Sequence, residues 1–82
     1  DFSSFEIYPN PTSNNATIIY DSKSEYVQVN VFDLSGKNIY SELMFGTGLQ
    51  AKAIQTSSFN NGMYIVEIES EGSIFQKKLI VN

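Results

Sequence analysis

Hydrophobic positions recur at every second residue along nearly the whole chain. In the stretch ATIIYDS, Ala16, Ile18 and Tyr20 fall on one side and Thr17, Ile19 and Asp21 on the other. YVQVNVFDL repeats the pattern, with Val27, Val29 and Val31 against Gln28 and Asn30, until Phe32 and Leu34 load the opposite face near its end. MYIVEIES sets Tyr64, Val66 and Ile68 against Met63, Ile65, Glu67 and Glu69. NIYSELMF and LQAKAIQT alternate less well and are assigned to outer strands. FEIY opens the series and SIFQKKLIV closes it. In the latter Phe75, Lys77, Leu79 and Val81 share a face, and alternation alone leaves open which face is buried. Seven β runs and no sustained 3.6-residue period predict an all-β sandwich of about seven antiparallel strands rather than a barrel or an α/β fold.

The breaks between runs carry turn chemistry. YPNPT places Pro9 and Pro11 around Asn10. Each ring fixes φ near −65° and removes a donor, so Tyr8 to Pro11 is neither helix nor central strand but a stiff exit from the first strand. DLSGKN has Asp33 where a side chain can bond the turn backbone and Gly36 where φ can be positive, the signal of a four-residue hairpin loop. FGTG and SEGS are read in the same way. SSFNNGMY suits a corner between sheets, with Phe59 plugging the core, Gly62 at positive φ, and the Tyr64 hydroxyl reaching back to the upstream backbone.

Composition narrows the possibilities further. Eighty-two residues suffice for one small domain, burying roughly 60 to 65% of the unfolded surface. An apolar content of 41% exceeds that of disordered chains. There is no cysteine, histidine or arginine, so nucleophile, acid/base and oxyanion groups reduce to carboxylates, lysines, hydroxyls and backbone amides, and catalysis is not expected. No cofactor or metal is expected either: Asp21, Glu25 and Asp33 fall in different turns without a calcium-loop spacing, and Glu67, Glu69 and Glu71 read as a solvated strand face. A net charge of −4 argues against nucleic acid and anionic membranes as partners. The opening DFSSFE reads as a cut from something longer, with residues 1–4 a linker remnant and 5–82 the domain.

Taken together, YPNPT, VFDLSGK, SSFNNGMYIVEI and QKKLIVN, in this order and spacing, resemble the type A C-terminal sorting domain of the bacterial type IX secretion system. The resemblance spans residues 5–82. It implies an immunoglobulin-like sandwich, without enzymatic activity, that directs an attached cargo through the periplasm and across the outer membrane to the surface or medium. Implied partners are an outer-membrane translocon, a shuttle protein and a sortase-like peptidase that commonly removes the domain. The family's motif positions fall on Pro9, Asn10 and Pro11; on Asp33, Gly36 and Lys37; on Gly62 and Tyr64; and on Lys78, Leu79, Ile80 and Val81. Lys77 joins them as a recognition candidate, because the last strand could form a sheet edge whose unpaired backbone a partner strand would take. The competing reading is an accessory sandwich module binding carbohydrate or an adhesion partner. The lack of tryptophan weighs against it.

Overall fold

The structure, a computed structural model, describes residues 5–82; the expected linker at 1–4 lies outside the described residues. Its strands are β1 (Glu6–Tyr8), β2 (Asn15–Ser22), β3 (Tyr26–Asp33), β4 (Asn38–Phe45), β5 (Gly48–Gln55), β6 (Gly62–Ser70) and β7 (Ser73–Val81). They form a three-stranded sheet in the order β1-β2-β5 and a four-stranded sheet in the order β4-β3-β6-β7, every neighbouring pair antiparallel. This is an immunoglobulin-like sandwich with β4 on the sheet of β3, β6 and β7.

The two-residue period explains the packing. Ala16, Ile18 and Tyr20 of β2 meet Val27, Val29 and Val31 of β3 and Tyr64, Val66 and Ile68 of β6 in one core, which Phe5, Ile7, Ile54, Leu79 and Val81 complete. β-branched residues fill its centre because their stiff side chains suit a pleated, two-sheet interior. In β7 the buried face is that of Leu79 and Val81, so Lys77 points to the core side and stays half-buried while Lys78 is exposed. The strands with the weaker alternation, β4 and β5, are indeed sheet edges.

Two of the expected hairpins form: β3–β4 around Gly36, and β6–β7 through Glu71 and Gly72, both at positive φ as a tight two-residue turn requires. FGTG does not form one. β4 and β5 are unpaired, and residues 46–47 carry the chain from one sheet to the other, anchored where the Gly46 N–H donates to the Glu25 carbonyl (2.9 Å). A glycine that permits positive φ serves a hairpin and a crossover equally, so the local sequence does not separate them.

Candidate functional site

The segment between β1 and β2 passes along the outer edge of β7. Its first contact is made by a side chain: the Asn10 amide Nδ2 donates to the Lys78 carbonyl (2.9 Å), and its Oδ1 accepts from the Ile80 N–H (3.0 Å). The backbone then takes over. Thr12 N–H donates to the Ile80 carbonyl (2.8 Å) and Asn82 N–H to the Thr12 carbonyl (2.9 Å), a short parallel bridge of Thr12 to Val81. Both proline bonds, Tyr8–Pro9 and Asn10–Pro11, are cis. Thr12 itself is buried, its hydroxyl donating to the Asn15 carbonyl (2.5 Å). The edge expected to lie open is therefore closed from Lys78 to the end. Toward its start, the outward groups of Ile74 and Gln76 have no backbone partner among the described residues.

At the β3–β4 turn one carboxylate oxygen organises the loop. Asp33 Oδ1 accepts from the Ser35 hydroxyl (2.6 Å), the Ser35 N–H (2.9 Å) and the Lys37 N–H (3.0 Å). The Gly36 N–H closes the turn onto the Asp33 carbonyl (3.0 Å), and Gly36 sits at φ +90°. The Ser35 hydroxyl first, and then the Lys37 amide, hold the Asp33 carboxyl below its usual range.

The corner between β5 and β6 takes the form the sequence suggests. Gly62 has φ +150°, and the Tyr64 hydroxyl donates to the Asn60 carbonyl four residues back (2.5 Å). Phe59 is half-buried against the core and lies 5.3 Å, ring centre to ring centre, from Tyr64. Between this corner and the Asp33 turn lies a concavity of about 300 Å³, lined by Asp33, Lys37, Ile39, Ser58, Phe59, Asn60 and Tyr64.

Strand register brings these separated motifs together. Asp33 pairs with Tyr64 across β3 and β6, Tyr64 with Leu79 and Gly62 with Val81 across β6 and β7, and Thr12 lies beyond Val81. One end of the four-stranded sheet thus carries Pro9, Asn10, Pro11, Asp33, Gly36, Lys37, Gly62, Tyr64 and the run from Lys78 to Val81. Lys77 stands one pair further in, opposite Val66.

Three features had no clear trace in the sequence. Glu42 of β4 and Lys52 of β5 both face inward and meet across the sandwich at 3.1 Å, with the Tyr40 hydroxyl donating to Glu42. Tyr40, and then Lys52, hold the Glu42 carboxyl low; burial, with the bond to Glu42, pushes the Tyr40 phenol up to about 12. On the outer face of the four-stranded sheet, Ser41, Asn30, Glu67 and Gln76 form a hydrogen-bonded row across all four strands. The third is the Asn10 clip, whose partners lie 68 and 70 residues away. Only the register of β2 and β5 could have paired Lys52 with an inward position, and that register is invisible until the sheets are assigned.

The arrangement supplies turns, an edge clip and a small concavity rather than reacting groups. Among the described residues, no cluster of three metal-ligating side chains forms. Over 77 residues the chain is 32% identical to an ulvan lyase of Nonlabens ulvanivorans, covering 93% of this chain and 14% of that protein. Over 80 residues it is 29% identical to an endo-acting ulvan lyase of Formosa agariphila, covering 96% and 15%. It therefore spans about one seventh of the length of these relatives. The model of the secretion system C-terminal sorting domain matches residues 6–82, nearly every described position. The chain belongs to that family, the sorting domains of type IX secretion, and its four convergent motifs are set in the sandwich of a non-catalytic signal domain.

Proposed function

We propose that residues 5–82 act as a folded address: a parent chain carrying them is taken from the periplasm through the type IX outer-membrane translocon to the cell surface or medium. The observation that carries this reading is the meeting of four motifs, dispersed over some seventy residues, at one end of one sheet, within a chain that matches the sorting family. Core packing alone requires Leu79, Val81 and Tyr64 there; it does not require the exposed Asn10, Gly36, Lys37 and Lys78. Residues 1–4 then belong to a linker from the cargo. The cargo is a polysaccharide-degrading enzyme, as in the two lyase relatives. A shuttle protein receives the domain after passage, and a sortase-like peptidase cuts on its upstream side.

A periplasmic reporter fused ahead of residues 1–82 in a type IX secreting host tests this. Export of the fusion, with the reporter alone retained, is expected, and the exported reporter should end before Phe5 by mass spectrometry. A fusion held in the periplasm while the domain is folded would overturn the address reading. Export of uncut fusion would remove the peptidase step.

A further inference from the structure

The net charge of −4 is not spread evenly. The end opposite the motifs, where β2, β4 and β6 finish, carries Asp21, Glu25, Glu69 and Glu71 against Lys23 alone, and Lys23 is already paired with Asp21 (3.0 Å). The motif end carries Lys37 and Lys78 against Asp33, one of whose oxygens is occupied by three donors from its own turn. Strands of eight or nine residues separate the two ends by about 25 Å at roughly 3.3 Å per residue. That is several Debye lengths of about 8 Å at physiological salt, so a partner at one end responds to the charge of that end alone.

Resting on the address reading, we infer that the concavity at the motif end is a binding site for a peptide segment that offers one apolar side chain flanked by acidic residues. A volume of about 300 Å³ lies at the small end of ligand sites and suits a single side chain. Ile39 and the tilted pair of Phe59 and Tyr64 give that side chain an apolar, partly aromatic wall. The Tyr64 hydroxyl is engaged by Asn60, so the wall presents ring rather than an open phenol. Ser58 and Asn60 add polar groups to the lining for the peptide backbone. Lys37 stands at the rim, exposed, and makes no salt bridge among the described residues; the Asp33 carboxylate, within reach of its charge, is bound by its own turn, and Lys37 takes one flanking carboxylate. Lys78, on the outer face of the same end, does not line the concavity and adds only to the positive field there. A basic peptide would meet Lys37 at the rim and is disfavoured.

The test uses the 82-residue chain, labelled with ¹⁵N, and three blocked tripeptides: Glu-Phe-Glu, Glu-Ala-Glu and Lys-Phe-Lys. Saturable amide shifts at Lys37, Ser58, Asn60 and Tyr64 are expected with Glu-Phe-Glu and not with the other two, and they should weaken as salt is raised. Lys37→Glu should weaken this binding about fivefold or more, because it removes one exposed attraction and adds a repulsion. Lys37→Gln should fall between, and Lys23→Glu, at the far end, should change it less than about twofold. Thermal melts establish that each variant is folded. Equal shifts with Lys-Phe-Lys, shifts centred elsewhere, or no shift with Glu-Phe-Glu would overturn the site. In the export assay, normal export of Lys37→Glu by a host that exports the wild-type fusion would overturn the site and leave the address reading standing. A host that fails to export the wild type would remove the address reading, and the peptide titration would still decide the site.

Discussion

The side chain of Asn10 hydrogen-bonds the backbone of β7 on both sides of Leu79, accepting from Ile80 N–H at 3.0 Å and donating to the Lys78 carbonyl at 2.9 Å. A single amide thereby stands in for one residue of a neighbouring strand. Asn10→Ala is expected to lower stability by about 1 to 2 kcal/mol, the loss of two exposed hydrogen bonds. Asn10→Asp should do no better at neutral pH, because a carboxylate cannot donate to Lys78. Urea midpoints check both, and a wild-type midpoint for Asn10→Ala would show that the clip contributes nothing.

Val66 lies at the centre of β6 with no exposure, between Val31 on β3 and Lys77 on β7. Val66→Ala is expected to cost about 1 to 3 kcal/mol, a large share of the stability of so small a domain. An unchanged denaturation midpoint would place it outside the core.

Gly62 is a backbone position and not a packing one. A Cβ built there meets nothing within 4 Å, so the penalty for Gly62→Val comes from φ +150° alone. A loss of about 1 to 3 kcal/mol is expected, against less than about 0.5 kcal/mol for the exposed Ser58→Ala. Equal thermal shifts for the two variants would contradict it.

Asp33 makes stability depend on pH. Its carboxyl is held below the ordinary value by the Ser35 hydroxyl and the Lys37 amide, so the unfolded chain takes up a proton before the folded one does. The stabilisation is complete above the ordinary carboxylate range near pH 4 to 5 and is lost as pH falls through that range and below it. Asp33→Asn should therefore lie below wild type at pH 7 and approach it at pH 3. A constant difference between the two pH values would count against the turn carboxylate.

Thr56 is completely buried, and its hydroxyl has no hydrogen-bond partner among the described residues. Thr56→Val keeps the shape and removes a desolvated polar group. Stability should rise by about 1 kcal/mol. A fall in the melting temperature would show that the hydroxyl is satisfied in solution.

These residues also mark how far the sequence could be read. Val27, Val29 and Val31 and Tyr64, Val66 and Ile68 declared their strands and their buried faces, because a two-residue period with one apolar side has a single economical solution. The Tyr64 corner and the Asp33 turn were legible for a related reason, since both are closed by bonds spanning no more than four residues. What stayed hidden depended on long-range pairing. Asn10 reads as part of a stiff exit from β1 until β7 lies beside it, and nothing in LQAKAIQT marks Lys52 as the partner of Glu42 until β4 and β5 face each other across the core. FGTG reads as a hairpin and forms a crossover, because glycine states the conformation of a turn and not its destination. The gathering of the motif residues at one end follows from register and was likewise out of reach.

The inward pair of Glu42 and Lys52 has a consequence beyond the fold. Among the described residues β4 and β5 each leave a strand edge without a paired strand, which two copies of the domain could share as a continuous sheet. Charges turned inward on both strands oppose that union, because a copy docking there must strip water from an ion pair it cannot replace. The inward pair thus guards both open edges against pairing with a second copy. Concentrated preparations of Glu42→Leu/Lys52→Leu should accordingly sediment as dimers or larger species where the parent sediments as a monomer.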